Sequence, residues 1–253
     1  MKKKFVFIGD INSINIEIII KSHNFLKNKV KYILLGNISD LENELSKLFC
    51  KKKVNRIIDP FNQLNYKKDQ INIYNIENLG KKKYKNLLNQ INVANFLSLK
   101  TGIDLVTLPI DKSLFKKHIE FTGMTEYLGK INNKKTIMLM HGNQFSIIPL
   151  TTHINLKKVS SYIKEEIISL SLKEIKNQIN KESYKLNFKK VNFLCYNPHC
   201  GEKNTLGFED DIISKCIKKL KNISGPFPAD SAFNKIHNNF LFISMYHDQA
   251  LIP

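Results

Sequence analysis

The sequence lacks any long apolar run. A helix that crosses a membrane needs about 20 consecutive apolar residues, and no such run occurs in the 253 residues. The N-terminal segment has three lysines and then a short apolar run that stops at Gly9-Asp10. That run is too short for the core of a signal peptide and instead predicts a first strand. We therefore expect no membrane partner.

Cysteine is also scarce. The four cysteines show none of the paired spacing that metal-binding cysteines have. They suit a reducing compartment, so we expect a cytoplasmic protein. Their positions support no particular disulfide.

Arginine is almost absent although the chain is strongly basic. The formal net charge is +18, yet Arg56 is the only arginine, so nearly all of the positive charge is lysine. Proteins that read a nucleic-acid sequence depend on arginine for bidentate contacts to bases. Lysine, asparagine and isoleucine are abundant along the whole chain, which indicates a compositional bias. We expect no specific nucleic-acid partner, although a chain of this charge attracts polyanions.

Strand-like and helix-like segments alternate along the chain. Its length and 42% hydrophobic content suffice for one large or two modest α/β domains. The alternation up to residue 108 predicts a largely parallel sheet covered by helices. The predicted strands are 4–8, 31–35, 54–58, 70–74, 104–108, 134–140, 145–150, 191–195 and 240–245. The predicted helices are 12–26, 40–49, 81–99, 156–180 and 207–220, and a further helix begins at 123.

Three histidines each follow a strand-like apolar run. His153 follows 145–150, His199 lies in Asn-Pro-His-Cys-Gly-Glu (197–202), and His247 lies in Met-Tyr-His-Asp-Gln (245–249). Open α/β folds bind substrates where strands end, and neutral imidazoles from separate loops suit a divalent ion such as Zn²⁺. On spacing alone, solvated or structurally paired loop histidines are the more common outcome. The remaining histidines lack this context and are expected in a turn (His141) or on the surface (His23, His118 and His237).

Five polar segments, taken in order, resemble one enzyme family. Phe-Thr-Gly-Met-Thr-Glu-Tyr (121–127), Thr-Thr-His (151–153) and Gly-Pro-Phe-Pro-Ala-Asp-Ser (225–231) accompany the two histidine motifs at 197–202 and 245–249. Together they are similar to the 4-hydroxythreonine-4-phosphate dehydrogenase family of pyridoxal phosphate biosynthesis. Looser similarity extends over 1–17 and 108–112, so the resemblance runs along the whole chain.

This resemblance implies an architecture and a reaction. It implies an α/β fold with two domains around a cleft, as in isocitrate and isopropylmalate dehydrogenases, with domains at 1–120 and 121–253. It also implies a homodimer with a shared active site, the cofactor NAD, and a divalent metal (Zn, Mg or Co). The implied reaction oxidises 4-phosphooxy-L-threonine, a phosphorylated small molecule. Loss of CO₂ from the resulting β-keto acid gives 3-amino-2-oxopropyl phosphate.

The resemblance also assigns roles to individual residues. His153, His199 and His247 match the family's metal ligands, and the third of them, His247, is expected to come from the partner subunit. Asp230 and Asp248 match carboxylates that orient ligands or transfer protons. We therefore expect a metal site assembled only in the dimer.

The predicted substrate-binding segment departs from the family pattern. Met124 stands where the family has a histidine, beside Thr125, which keeps its hydroxyl at a helix N-terminus. A thioether neither donates a hydrogen bond nor takes a proton. Lys112, just past a predicted strand, is expected to face the cleft and attract an anionic substrate, with an ordinary surface lysine as the alternative. Met124 leaves two other functions open: a paralogous dehydrogenase of another phosphorylated four-carbon acid, and a catalytically impaired remnant that binds polyanions or acts as a scaffold.

Two further segments differ from the family. Its first strand is usually followed by a turn rich in glycine and proline, where this chain has Ile11, Ser13 and Asn15. The chain also stops at Pro253, whereas family members continue for several tens of residues. That tail binds substrate and completes the first domain, so the sequence predicts a fragment or a shortened gene product.

Overall fold

The computed structural model describes residues 2–62, 65–179, 186, 188–218, 220–234 and 239–252. The chain divides into two compact units, Met1–Met124 and Thr125–Pro253. The sequence had placed a boundary nearby, after residue 120. Among the described residues, every helix is too short or too polar to cross a membrane.

The first unit is built on a parallel sheet. Its strands are β1 (Lys2–Phe7), β2 (Val30–Gly36), β3 (Val54–Ile57), β4 (Ile71–Asn75) and β5 (Asp104–Thr107). Their spatial order is β3-β4-β2-β1-β5, and every pairing is parallel. Ile33, Leu34 and Leu35 of β2 are fully buried, because a parallel strand is covered by helices on both faces. This arrangement confirms the α/β fold predicted from the alternating pattern.

In the described part of the first unit, three α-helices cover this sheet. They are α1 (Asn15–Leu26), α2 (Ile38–Lys47) and α3 (Lys83–Thr101). The side chain of Asn37 caps α2 by accepting a hydrogen bond from the amide of Asp40 at 3.0 Å. α3 is followed by Gly102, whose φ of 67° is the left-handed conformation that favours glycine at a helix end. Ile16 of α1 and Leu41 of α2 pack into one core with the strands.

The second unit has its own sheet. Its strands are β6 (Met140–His141), β7 (Ser146–Pro149), β8 (Lys190–Leu194), β9 (Ile223–Phe227) and β10 (Phe240–Ser244). Their spatial order is β6-β7-β10-β8-β9; β6 is antiparallel to β7, and the other pairings are parallel. The last strand in sequence, β10, therefore lies between β7 and β8. The carboxyl ends of β7, β10, β8 and β9 follow one another along one edge.

The helices of the second unit pack against two apolar clusters, one that includes Phe193 and Leu241 and one that includes Leu194 and Phe242. They are α4 (Met124–Ile131), α5 (Val159–Tyr162), α6 (Glu165–Ile179), α7 (Glu209–Ile217), α8 (Ala229–Ala232) and α9 (His247–Leu251). The single helix predicted for 156–180 is interrupted at Ile163, whose φ and ψ of −83° and 78° are not helical. Val159 and Ile168, on either side of the break, contact the same core as Phe193 and Leu241. Because the apolar spacing continues through the break, the sequence did not reveal it.

Two strand predictions need correction. The segment 134–140 pairs only at its end, so His141 lies in β6 rather than in a turn, with its Nδ1 2.7 Å from Ser146 Oγ. Strand β9 was not predicted because it contains Gly225-Pro226. Proline has no amide hydrogen to donate and is tolerated on an edge strand, which is the position of β9.

The prediction that His23 lies on the surface is wrong. Its side chain is 2% exposed, and its Nδ1 lies 2.6 Å from Tyr32 Oη, also buried. His23 lies in α1 three residues before Leu26 and so occupies the buried face of an amphipathic helix. His118 is exposed as predicted and stacks on Tyr84 with ring centroids 3.9 Å apart. His237 lies outside the described residues.

Candidate functional site

The functional residues predicted in the second unit lie along the carboxyl edge of its sheet. His153 follows β7, His247 follows β10, His199 follows β8 and Asp230 follows β9. Since these strands are parallel neighbours in that order, the four side chains are carried by adjacent loops. This is the edge at which open α/β sheets bind ligands.

Buried side chains hold the ends of three of these strands together. Thr151 Oγ1 donates a hydrogen bond to the carbonyl of Met245 at 2.7 Å, which ties the end of β7 to the end of β10. The side-chain oxygen of Gln249 accepts from the amide of Met245 at 2.7 Å, and its Nε2 donates to the carbonyl of Cys195 at 2.8 Å. The loops that carry His153, His199 and His247 therefore start from strand ends that are joined by hydrogen bonds.

His153 and His247 form a pair within one chain. Their ring centroids are 5.5 Å apart with an interplanar angle of 39°. Nδ1 of His153 lies 2.9 Å from Glu126 Oε1, and Nδ1 of His247 lies 3.0 Å from Asp248 Oδ1. A carboxylate can only accept, so in a neutral ring each contact favours the tautomer with hydrogen on Nδ1 and a lone pair on Nε2. Neither Nε2 has a hydrogen bond to the described residues, so both are available to a ligand.

Glu126 is a site residue that the sequence analysis missed. Its Oε1 also accepts from Thr152 Oγ1 at 3.3 Å. Burial opposes the ionisation of Glu126, but the hydrogen bonds from His153, from its own backbone amide and from Thr152 outweigh it and lower its pKa. Its carboxylate lies in the first turn of α4, where the helix dipole favours negative charge. The sequence did contain a signal for Glu126, because it lies in the motif at 121–127 beside Met124 and Thr125, which were assigned to substrate binding.

His199 lies in a different setting. Its loop adopts left-handed conformations, with φ of 48° at His199 and 55° at Cys200. Asp210, 3% exposed, accepts hydrogen bonds from the amides of Tyr196 and Asn197 at 2.6 and 3.0 Å and from Asn197 Nδ2 at 3.1 Å. A buried carboxylate with three donors can fix a loop in a conformation that non-glycine residues otherwise disfavour.

A cavity of about 300 Å³ adjoins this loop. His199, Asp230, Tyr196, Tyr246 and Gln249 line it. Asp230 is exposed in the first turn of α8, so a molecule bound in the cavity can contact its carboxylate.

Two thiols beside this cavity are protonated at neutral pH. Burial, together with the neighbouring Cys195 thiol, raises the pKa of Cys200 to about 12. Burial likewise raises the pKa of Cys195. Because the thiolate is the nucleophile and the metal ligand, neither cysteine adds such a function to the site at neutral pH.

The three predicted metal ligands do not meet in one chain. In the described parts of the chain, no group of three or more His, Cys, Asp or Glu side chains is arranged to hold a metal ion. The pair His153–His247 does fit half of such a site. Two imidazoles bound to one tetrahedral ion at about 2.0–2.1 Å have ring centroids roughly 5 Å apart, close to the observed 5.5 Å. This pairing differs from the expected one, in which His247 was separate from His153.

The predicted substrate-binding residues occupy the start of α4 and the segment before it. Met124 is the first residue of α4 and is half-buried, as is Thr125. Lys112 is exposed, and its Nζ donates to the carbonyl of Thr122 at 2.9 Å. Lys112 is therefore bonded to a residue that lies two positions before Met124 in the sequence.

The turn after β1 keeps one glycine of the family pattern, Gly9. At another glycine position of that pattern stands Asn15, whose side chain contacts the backbone of the turn. Gly9 has a φ of 76°, and an added Cβ would lie 2.3 Å from the carbonyl oxygen of Pro109, so no other residue fits. The buried Asn15 Nδ2 lies within hydrogen-bonding distance of three carbonyls, those of Ile8 (2.9 Å), Asp10 (3.1 Å) and Pro109 (2.8 Å). Asn15 therefore holds the ends of β1 and β5 together.

A second cavity, of about 290 Å³, opens in the first unit next to this turn. Many of its lining side chains are neutral amides: Asn12, Asn37, Asn43, Asn78, Asn86 and Gln90. Amides both donate and accept hydrogen bonds. Three carboxylates and two lysines also line the cavity, which is therefore polar and carries charges of both signs.

The chain is similar to known proteins along its whole length. Residues 16–253 match the family described as "Pyridoxal phosphate biosynthetic protein PdxA". A 4-hydroxythreonine-4-phosphate dehydrogenase from Sulfurihydrogenibium sp. (strain YO3AOP1) is 30% identical over 272 residues, covering 100% of this chain and 82% of the relative. One from Campylobacter fetus subsp. fetus (strain 82-40) is 30% identical over 265 residues, covering 100% and 81%. The crystal structure of the enzyme of that name from Klebsiella pneumoniae has a TM-score of 0.82 at 21% identity, covering 100% and 84%, and shares the fold.

Proposed function

The chain belongs to the PdxA family of pyridoxal phosphate biosynthetic proteins, and from this premise we propose that it is an NAD-dependent dehydrogenase of 4-phosphooxy-L-threonine. The observation that supports this most is the pair His153–His247, because each ring presents a free Nε2 at the sheet edge while a carboxylate holds its Nδ1. We take the substrate from the name of the relatives. The histidine pair is the proposed location of the reaction.

The proposed reaction transfers a hydride from the carbon that bears the substrate's secondary hydroxyl to NAD⁺. The hydroxyl proton passes to a carboxylate, and Asp230 is the candidate acceptor because it is exposed beside His199. The β-keto acid then loses CO₂ and takes up a proton, which gives 3-amino-2-oxopropyl phosphate. Atoms balance with one NADH and one CO₂ formed per substrate.

The residues proposed to hold a divalent ion are His153, His199 and His247. When bound, such an ion supplies Lewis acidity that lowers the pKa of a hydroxyl in contact with it. His153 and His247 offer Nε2 atoms, and Asp248 orients the ring of His247 through the 3.0 Å contact at Nδ1. Thr125 is the proposed donor of a hydrogen bond to a substrate anion, and its position at the N-terminus of α4 supports this role.

We further propose that His199 reaches the site from a second copy of the chain. His153 and His247 are neighbours within one chain, whereas His199 lines a cavity without either of them. In a twofold symmetric dimer every contact between the subunits occurs twice. Each subunit can therefore supply the same residue to the site of its partner. The shared site would then pair His153 and His247 of one subunit with His199 of the other.

The proposal is tested by following NADH absorbance with 4-phosphooxy-L-threonine, NAD⁺ and a divalent ion. We expect NADH and CO₂ in equal amounts, loss of the signal after chelation, and recovery on adding the ion back. A His153→Ala variant should be inactive with unchanged folding. A purified, folded chain that binds the ion but reduces no NAD⁺ with this substrate would reject the assignment.

Met124 supports a second candidate function. The thioether begins α4 at the position where the resemblance places a substrate-binding histidine, and it has no hydrogen to donate. A dehydrogenase of a different phosphorylated four-carbon acid would tolerate an apolar neighbour at that position. Comparing kcat/KM for such acids with that for 4-phosphooxy-L-threonine distinguishes the two candidates.

A further inference from the structure

We propose that Glu126 is a positioning residue that holds His153 in the tautomer with hydrogen on Nδ1, and so makes its Nε2 the atom that binds a metal ion. The inference rests on the proposed function only for the identity of that ligand. Its geometric basis is the 2.9 Å contact between Glu126 Oε1 and His153 Nδ1. The two residues are 27 positions apart in sequence, so the contact is made by the fold.

The contact links the predicted substrate helix to the predicted metal ligand. Glu126 lies in the first turn of α4, directly after Met124 and Thr125. Thr152, which precedes His153, donates to the same oxygen at 3.3 Å. Two consecutive residues of the β7 loop are thereby attached to one carboxylate, which restrains the ring as well as its proton.

The other oxygen of Glu126 is unfavourable for the stability of the fold. Oε2 is buried and accepts no hydrogen bond from any described residue. A buried carboxylate oxygen without a donor is unfavourable, and an apolar side chain of similar size often serves the folded state equally well. Replacing Glu126 by leucine should therefore weaken metal binding without lowering the stability of the fold. A residue with a purely structural role would not separate these two properties.

The experiment compares Glu126→Leu and Glu126→Gln in the full chain, with Zn²⁺ as the probe. The dissociation constant of Zn²⁺ is measured by competition with a chromophoric chelator, and the melting temperature is measured on the metal-free proteins. We expect Glu126→Leu to weaken Zn²⁺ binding about 10- to 100-fold at an equal or higher melting temperature. Glu126→Gln keeps an acceptor oxygen and should recover part of the affinity.

Two matched controls isolate the contact. Thr152→Val removes only the longer hydrogen bond and should change the affinity less than about threefold. Glu166→Leu removes an exposed glutamate from the first turn of α6 and should leave Zn²⁺ binding unchanged.

The tautomer is read directly from the ¹⁵N shifts of His153 in metal-free protein near pH 8. The wild type should show hydrogen on Nδ1, and Glu126→Leu should move the population towards Nε2–H. An unchanged tautomer together with a Zn²⁺ affinity within about twofold of wild type would overturn the proposal. If the wild type binds no Zn²⁺, the proposed function fails at its metal site, and the tautomer alone then decides the role of Glu126.

Discussion

Subunit mixing tests whether the three histidines come from two chains in the way the geometry indicates. The perturbation is a pair of variants, His153→Ala and His199→Ala, purified separately and then allowed to exchange subunits. In the proposed arrangement each site takes His153 and His247 from one subunit, where their rings are 5.5 Å apart, and His199 from the other. Each homodimer of a variant then lacks a ligand in both of its sites.

The size of the recovery follows from the symmetry. Random exchange of equal amounts gives about half heterodimers, and each heterodimer has one intact site and one doubly damaged site. The mixture should therefore bind about one quarter of the wild-type amount of zinc, against almost none for either variant alone. The assay is zinc per protein by elemental analysis after dialysis against a weak chelator, with two affinity tags to isolate heterodimers. Purified heterodimers should hold about half of the wild-type zinc.

A second mixture is the control. His153→Ala with His247→Ala should recover nothing, because both residues belong to the same half of each site. If instead this second mixture recovers zinc and the first does not, His247 crosses between subunits and the reasoning from the ring contact is wrong. A protein that remains monomeric at micromolar concentration while binding zinc would also contradict the shared site.

The remaining predictions concern substrate affinity, pH and the loop of His199. Met124→His restores a donor to the N-terminus of α4 and should lower the dissociation constant of 4-phosphooxy-L-threonine at least about tenfold by calorimetry; equal affinity in Met124→His and Met124→Leu would show that the position does not bind the substrate. Burial, with the charges of Lys52 and Lys27, lowers the pKa of His23, so the unfolded chain binds a proton first as the pH falls below about 6.5. The contribution of His23 to the free energy of unfolding should therefore be constant above that pH and fall below it, and a urea titration of His23→Gln between about pH 5 and 7 should show a shallower dependence than wild type; an identical slope in both proteins would contradict this. Asp210→Ala leaves the amides of Tyr196 and Asn197 without their acceptor and should cost at least about 2 kcal/mol of unfolding free energy, whereas Asp211→Ala, an exposed neighbour, should cost less than about 1 kcal/mol; similar losses in both would refute the bracing role of Asp210.

The sequence predicted the strands that carry the site because they are short apolar runs followed by polar residues. β7, β8 and β10 were all recognised in this way, and their histidines were singled out from the residues that follow. β9 was missed because Gly225-Pro226 interrupts the strand pattern. Apolar runs predict buried strands well, but an edge strand with proline does not produce that signal.

The arrangement of the site was less predictable than its residues. His153 and His247 are neighbours because β10, the last strand in sequence, pairs with β7 as well as β8. Chain order alone does not give strand order, so the sequence could not show which two histidines meet. The contact between Glu126 and His153 likewise depends on where α4 packs. His23 shows the same limit in the core. The burial of a polar residue on a helix can be predicted only if its hydrogen-bond partner is known, and for His23 that partner is Tyr32.

A crystal structure with zinc, analysed at the zinc absorption edge, tests the central claim most directly. We predict an anomalous peak about 2.0–2.1 Å from Nε2 of both His153 and His247 of one chain, with His199 of a second copy as the third ligand. A peak bound to Nδ1 of either ring, or a site in which His199 and His153 of the same chain meet without His247, would contradict it.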